Sequence, residues 1–181
     1  MQEYWDLYDR DRRPLGRVHL RGTPLPPDTY HVVVHLCIFN ERGEMLIQRR
    51  VGDKDTFPDY WDLSVGGSAR AGEDSQTAII RECTEELGVT PPLTNARPYL
   101  TVHFSGGFDD VYVATCKESE LSLHLQADEV AETMWAGEEQ ILAMIDAGTF
   151  IPYHVPYIAL LFRYCHYRGN FSFLPIEPPK F

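Results

Sequence analysis

The segment spanning residues 67–89 constrains the fold more than any other part of the sequence. It places three carboxylates, Glu82, Glu85 and Glu86, at positions i, i+3 and i+4. On an α-helix that spacing brings the three side chains to one face. Three like charges on one face repel one another, and a hard divalent cation with oxygen ligands, Mg²⁺ or Mn²⁺, offsets that repulsion. The segment therefore predicts a helix that carries a divalent-metal site.

The residues at either end of this segment predict where the helix begins and ends. Gly72 ends a loop, and Glu73 and Asp74 are predicted to open the helix, where acidic side chains complement the positive end of the helix dipole. Gly88 is predicted to close it, because glycine readily adopts the left-handed backbone conformation of a helix C-cap.

The same segment resembles the signature motif of the Nudix hydrolase family. That motif reads Gly, any five residues, Glu, any seven, Arg-Glu, an aliphatic residue, any, Glu-Glu, any, Gly, and an aliphatic residue. Val89 fills the last position, and Cys83 stands at the other aliphatic position, where a buried cysteine behaves as a small hydrophobic side chain. The fixed positions are filled by Gly67, Glu73, Arg81, Glu82, Glu85, Glu86 and Gly88.

The resemblance implies a hydrolase that uses water to cleave a diphosphate linked to another moiety, X. The negative charge of the diphosphate must be neutralised before a nucleophile approaches it. The resemblance implies that Glu82, Glu85 and Glu86 bind Mg²⁺ or Mn²⁺ for this purpose, and that the metal acidifies a bound water. It also implies a further metal ligand in the backbone carbonyl of Gly66, and places Gly67 against the substrate.

The group that activates the water is left open by the sequence. Glu85 is a candidate as base, as metal ligand, or as both, and Glu82, Glu86 and Arg81 complete the predicted catalytic set. In some relatives the base is a carboxylate from a loop outside the motif. The candidates of that kind are Asp109, Asp110, Asp128, Glu129 and Glu132.

Several motif positions are predicted to shape the site. Gly67, Glu73 and Gly88 are the structural positions, and Arg81 is expected to fix the loop by pairing with Glu73 or with Glu85.

Basic residues outside the motif are candidates for binding phosphate. Arg49 and Arg50 end a predicted strand, and Lys54 follows in the next loop. For each of them a solvated strand end is an equally good interpretation. The predicted substrate is a nucleoside diphosphate derivative or a similar small diphosphate. The prediction stops at this class of compound because the variable loops that set specificity in this family carry no readable signature.

Residues 31–89 also resemble the isopentenyl-diphosphate isomerase branch of the Nudix superfamily, notably in the stretch IFNERGEMLIQRR. That isomerase requires a catalytic cysteine directly before the first motif glycine and a metal-binding histidine directly after that glycine. This sequence has Gly66 and Ser68 at those two positions. His31 matches another of its metal ligands. We therefore predict a hydrolase related to this branch. The alternatives are an isomerase-like enzyme and a Nudix domain that binds a ligand without turnover.

The order of predicted elements is that of an α/β fold: an α/β/α sandwich with a mixed β-sheet, the Nudix fold, preceded by a small β-hairpin. Residues 1–29 are predicted to form the hairpin and a Pro-rich connector, 30–150 the Nudix domain, and 151–181 a C-terminal helix and Pro-rich tail packed on it. The predicted strands are 31–39, 44–50, 97–104, 110–117 and 130–135, and the predicted helices after the motif are 138–147 and 157–167.

Composition narrows the range of partners and compartments. The 181-residue chain has a formal net charge of −11, which argues against a general binder of nucleic acid or of anionic membranes. Its four cysteines show no metal-binding or disulfide spacing, and no apolar leader follows Met1, so we expect a cytoplasmic protein. The expected partner is a small diphosphate-containing substrate. The N-terminal hairpin and the aromatic C-terminal segment are candidates for a homodimer surface, and covering the domain's own core is an equally good interpretation.

Overall fold

The computed structural model describes residues 2–166 and residue 180, so the tail predicted beyond the last helix lies, apart from residue 180, outside the described residues. The last helix ends at Tyr164, three residues before its predicted end at Tyr167. The strands are β1 (Tyr4–Tyr8), β2 (Pro14–Leu20), β3 (His31–Phe39), β4 (Met45–Arg50), β5 (Trp61–Asp62), β6 (Val65–Ser68), β7 (Leu100–Phe104), β8 (Gly107–Thr115) and β9 (Val130–Ala136). The helices are α1 (Ser75–Leu87), α2 (Glu138–Asp146) and α3 (Val155–Tyr164), with one 3₁₀ turn at Glu118–Glu120.

The main sheet is mixed, as the sequence predicts. Its order is β5-β4-β3-β8-β7, with β6 paired to β3 and β9 paired to β4. The central pair, β3 and β8, is parallel, and the remaining pairs are antiparallel. Strand β6, which contains Gly66 and Gly67, pairs with residues 33–36 of β3, and a loop of residues 69–74 then leads into α1. The sheet therefore fixes the start of the loop that precedes α1.

Helices cover both faces of this sheet, which confirms the predicted sandwich. Successive side chains of a strand point to opposite faces, so β3 contributes Val34 and Leu36 to one core and Cys37 and Phe39 to the other. Helix α1 packs on the first face, and α2 and α3 pack on the second. No helix in residues 2–166 is long and apolar enough to cross a membrane.

Helix α1 begins at Ser75, two residues after its predicted start at Glu73. Asp74 is its N-cap and accepts a hydrogen bond from the Thr77 backbone N–H at 2.7 Å. The prediction that Glu73 opens the helix is wrong, because Glu73 remains in the preceding loop, where it accepts hydrogen bonds from Arg70 and Arg81. Gly88 closes the helix with φ at 71°, a left-handed conformation that suits glycine, as predicted.

The strand pair after α1 is shifted relative to its predicted limits. β7 begins at Leu100, and β8 begins at Gly107, a position predicted to lie in the turn. The reason is long-range: Gly107 pairs with His31 at the start of β3, and a Cβ at that position would overlap the His31 carbonyl oxygen. Parallel pairing with β3 therefore draws Gly107 into the strand. Helix α3 starts at Val155, two residues before its predicted start.

The N-terminal hairpin of β1 and β2 is antiparallel and docks on the main domain. The Trp5 indole stacks on His31, with ring centroids 4.0 Å apart and planes at 8°. The Arg12 guanidinium donates two hydrogen bonds to Asp110, one of them at 2.8 Å. Asp110 is buried, and although burial raises its pKa, hydrogen bonds from Arg12 and Thr101 bring that pKa below its usual value.

We expect Arg12→Ala to lower the free energy of unfolding by about 2–3 kcal/mol, because it leaves the buried Asp110 carboxylate without its cation. Chemical denaturation at pH 7 measures the loss. Asp110 is held ionised in the folded protein, so its contribution is present above the unfolded pKa and disappears as the pH falls through its lowered folded pKa. Arg13→Ala is the matched control, since Arg13 pairs with Asp9 and Asp11 of its own turn, neither of which is buried. An equal loss in both variants would contradict the assignment.

Candidate active site

A polar cavity of about 140 Å³ lies between α1, the motif loop, and the loops that follow β4 and precede β9. It brings together the three motif glutamates predicted as metal ligands and the two adjacent glycines. Its lining residues are Glu3, Arg21, Arg50, Lys54, Gly66, Gly67, Arg70, Glu82, Glu85, Glu86, Gln126 and Glu129.

Glu86 is the most deeply placed of the three glutamates, with 6% of its surface exposed. Burial and the neighbouring charge of Glu82 raise the pKa of Glu86 to about 8. Gln48 on β4 donates a hydrogen bond from Nε2 to Glu86 Oε2 at 3.1 Å, which favours the charged form. A bound cation would stabilise a buried carboxylate whose negative charge has so few compensating partners.

Glu82 and Glu85 lie nearer to solvent and are both engaged by arginines. Burial raises the pKa of Glu82, and the Arg81 guanidinium, 2.9 Å away, opposes that effect. Glu85 Oε2 lies 3.1 Å from Arg81 Nη1 and 3.1 Å from Arg70 Nη2. Two arginines therefore partly neutralise the glutamate face.

Arg81 joins the motif loop to helix α1. It donates two hydrogen bonds of 2.8 Å to the Glu73 carboxylate and one of 3.1 Å to the Ser68 carbonyl oxygen. The sequence left Glu73 and Glu85 as alternative partners, and Arg81 contacts both. These contacts make Arg81 and Glu73 positioning residues that hold the loop against the glutamate face.

Close packing requires glycine both at the motif position Gly67 and at Gly66, the residue before it. A Cβ on Gly67 would overlap the carboxyl group of Glu82, closer than the 3.0 Å below which real Cβ atoms are essentially never found. A Cβ on Gly66 would lie 2.8 Å from the His35 ring. The Gly66 backbone also lowers the pKa of Glu86, against the larger effect of burial, so strand β6 and the glutamate face lie close together.

The donor set at this site suits a hard divalent cation, and the Gly66 carbonyl and three carboxylates supply oxygens of the required kind. In the arrangement described for residues 2–166, no group of three His, Cys, Asp or Glu side chains is assembled as a metal site. Arg81 pairs with Glu82, and Arg70 pairs with Glu85. A cation bound at this face would compete with these arginines for the two carboxylates.

Most of the loop carboxylates considered as bases are engaged elsewhere. Asp109 Oδ1 lies within hydrogen-bond distance of His35 Nδ1, at 2.8 Å, and Asp110 accepts a hydrogen bond from Arg12. Glu132 pairs with Arg49 at 2.6 Å. Among the five, only Glu129 lines the described cavity, where it pairs with Lys54.

The two arginines at the end of β4 have different surroundings. Arg50 lines the cavity and reaches Asp62 at 3.5 Å. Arg49 does not line it, because neighbouring residues of a strand point to opposite sides, and its guanidinium pairs with Asp59 and Glu132. The structure thus separates Arg49 from the other predicted site residues.

Four cavity residues were not predicted: Glu3, Arg21, Arg70 and Gln126. Arg70 lies in the loop between Gly67 and Glu73, so its position within the motif could have indicated that it lines the site. Glu3 and Arg21 flank the N-terminal hairpin, and no local pattern connects them to the motif.

The features required of the isomerase are absent at the corresponding positions. A side chain at Gly66 would collide with His35, so no thiol fits there without moving that ring. His31 is stacked under Trp5, and burial lowers its pKa to about 4. The Ser68 carbonyl is bonded to Arg81.

Comparison with known proteins identifies the family. The NUDIX domain family model matches residues 29–156, and the chain belongs to the Nudix hydrolase family. An uncharacterised Nudix hydrolase of Listeria innocua is 48% identical over 152 residues, covering 83% of this chain and 89% of the relative. The enzyme class is therefore a Nudix pyrophosphohydrolase, as the motif predicts.

Two further proteins show what the fold and the sequence are similar to. A Deinococcus radiodurans protein of known crystal structure aligns with a TM-score of 0.72 at 27% identity, covering 91% of this chain and 100% of that one. An isopentenyl-diphosphate Delta-isomerase of Salmonella arizonae is 31% identical over 159 residues, covering 81% of this chain and 83% of the relative. The predicted resemblance to both branches of the superfamily is confirmed.

Proposed function

We propose that this Nudix hydrolase cleaves the diphosphate linkage of a nucleoside diphosphate derivative or a similar small diphosphate, with Mg²⁺ or Mn²⁺ as cofactor. The observation that carries the proposal is the cavity itself, in which Glu82, Glu85 and Glu86 face Arg50, Lys54 and the motif glycines. Acidic groups that attract a metal and basic groups that attract phosphate share one small space, which is what diphosphate hydrolysis requires.

Each part of the site has a role in this proposal. Glu82, Glu85, Glu86 and the Gly66 carbonyl would hold the metal, which supplies charge neutralisation and an acidified water. Gly67 leaves the backbone bare where the substrate approaches, and Arg50 binds a phosphate oxygen. Arg81 and Glu73 keep the loop in register with α1. Nudix enzymes generally use divalent metals, in agreement with this donor set.

Glu129 is the loop carboxylate we propose as the base, with Glu85 as the alternative within the motif. It is placed in the cavity, unlike Glu132 three residues later, which pairs with Arg49.

We expect Glu129→Gln to lower kcat about 100-fold, because an amide does not accept the proton of the attacking water. Glu132→Gln is the matched control and is expected to retain kcat within about twofold, since surface ion pairs contribute little. Steady-state kinetics across a pH series measures both, and the variant should lose the acidic limb of the profile. Equal kcat values for the two variants would assign the base to Glu85.

The direct test is a turnover screen with Mg²⁺ and with Mn²⁺ at mildly alkaline pH. The substrates are nucleoside di- and triphosphates, nucleotide sugars, dinucleotide polyphosphates and isopentenyl diphosphate. We expect metal-dependent release of phosphate, pyrophosphate or a nucleoside monophosphate from at least one class. Tight binding of a ligand with no turnover would favour a non-catalytic module, and isomerisation of isopentenyl diphosphate would favour the isomerase. Both outcomes would overturn the proposal.

A further inference from the structure

The N-terminal hairpin contributes residues to the candidate active site. Glu3 directly precedes β1 and Arg21 directly follows β2, and both line the cavity that contains the motif glutamates. The two ends of the hairpin therefore lie together at the mouth of this cavity.

The hairpin is attached to the motif loop itself. The Ala71 backbone N–H donates to the Tyr4 carbonyl oxygen at 2.7 Å, and the Gly72 N–H donates to Asp6 Oδ2 at 2.7 Å. Both donors belong to the loop that leads into α1. With the Trp5–His31 stack, these contacts fix the position of the hairpin relative to the catalytic helix.

Glu3 holds two arginines at the cavity mouth. Arg21 Nη1 donates to both Glu3 carboxylate oxygens, at 3.0 and 3.1 Å. Arg70 Nε lies 3.9 Å from Glu3 Oε2, and the same guanidinium reaches Glu85. A metal held by Glu85 would take this partner from Arg70, which lines the cavity together with Arg21.

The positive charges of the cavity are crowded. Arg21, Arg50, Lys54 and Arg70 share its lining. Burial lowers the pKa of Lys54, and the nearby Arg50 lowers it further, as does Arg21 to a smaller extent. Each of these cations is paired with a carboxylate, Arg21 with Glu3 and Arg70 with Glu85 among them. A phosphate group that replaces such a carboxylate keeps a negative partner beside the cation.

The size and lining of the cavity indicate what that anion is. Its volume of about 140 Å³ is lined, within the described residues, by no aromatic side chain on which a ring would stack. A larger cavity of about 590 Å³ shares Glu3 and Arg70 with it and adds Gln2, Tyr4 and Ala71. The inner space suits phosphate groups alone, and the rest of a substrate extends past the hairpin.

We propose that Arg21, with Arg70, binds the phosphate groups of the substrate that lie away from the motif glutamates, and that the hairpin is thereby a specificity element of the site. This inference rests on the function proposed above. Glu3 holds both arginines in place until the phosphate displaces it.

The test uses methylenediphosphonate, a diphosphate analogue that is not hydrolysed, titrated calorimetrically into the full chain with Mg²⁺. Arg21→Ala is expected to raise its Kd about tenfold, since a charge-assisted bond to phosphate is lost. Arg17→Ala, an exposed arginine of the same hairpin outside the cavity, is the matched control and should leave the Kd within about twofold.

A second variant separates binding from a structural role of the Arg21–Glu3 pair. Glu3→Gln removes the carboxylate that competes with phosphate for the arginines, so the Kd is expected to fall about threefold. If the pair only stabilised the hairpin, both variants would weaken binding together. That result, an unchanged Kd in Arg21→Ala, or no binding to the wild-type protein would overturn the inference. Failure of hydrolysis alone would overturn the proposed function and leave this binding result intact.

Discussion

Glu86→Gln is expected to lower kcat/KM by at least about 1,000-fold while the fold is preserved. Glu86 is the buried member of the glutamate face, and its neutral replacement keeps the shape and the Gln48 contact but removes the charge. Loss of one metal-binding charge costs several kcal/mol of transition-state stabilisation, and each 1.36 kcal/mol is a factor of ten in rate. Steady-state kinetics at saturating Mg²⁺, with circular dichroism for the fold, measures the effect.

The stability of the same variant provides an independent readout. Burial and Glu82 raise the pKa of Glu86 to about 8 in the absence of metal, well above its unfolded value. Between those two values the folded state binds the extra proton, so the metal-free wild type loses stability as the pH rises. The metal-free variant should therefore melt several degrees higher than the wild type at pH 9, with a smaller difference at pH 5. Unchanged turnover, or a lower melting temperature at pH 9, would contradict the role given to Glu86.

Gly67→Ala is expected to lower kcat about 1,000-fold. The new Cβ would overlap the Glu82 carboxyl group, so this side chain must move away from its place beside the cavity. A displacement of about 1 Å at a reacting centre costs about 100-fold, and the loss of a metal-binding oxygen adds to it.

Gly137→Ala is the control for Gly67→Ala. Gly137 is the N-cap of α2 with φ at −78°, and no atom lies within 4 Å of a Cβ built there. The activity of the Gly137→Ala variant should match that of the wild type. Isothermal titration with Mn²⁺ would show weakened metal binding in Gly67→Ala alone, and equal Mn²⁺ affinity in both variants would refute the steric argument.

The sequence was sufficient for features that depend on neighbours along the chain. The spacing of Glu82, Glu85 and Glu86 places them on one helix face, and the structure has them lining one cavity. Gly88 closes α1 in the left-handed conformation that its position indicates. Helix periodicity and C-capping act within a few residues, so the pattern alone carries them.

Features that depend on distant partners were not predicted. Glu73 looked like a first-turn acid because its partner Arg81 lies across the loop, not beside it. The assignment of Gly107 to a turn failed because pairing with β3 extends β8. Strand alternation shows that Arg49 and Arg50 face opposite sides, but the packing of the sheet decides which of them meets the cavity.

The hairpin is the clearest case of a site component without a local signature. Arg21 and Glu3 reach the cavity only because β1 and β2 dock on the motif loop. The extents assigned to the hairpin, to the Nudix domain and to the C-terminal segment remain predictions, as does the homodimer.

The docking of the hairpin also bears on how the enzyme matures during synthesis. Arg12 and Asp110 are 98 positions apart in the sequence, and Asp6 and Gly72 are 66 apart. The hairpin therefore leaves the ribosome long before the residues on which it docks have been synthesised. Until then it is a marginally stable two-stranded unit. The phosphate-facing wall of the cavity is completed only after β8 has been translated, so a truncated nascent chain holds the motif but not the finished substrate cleft.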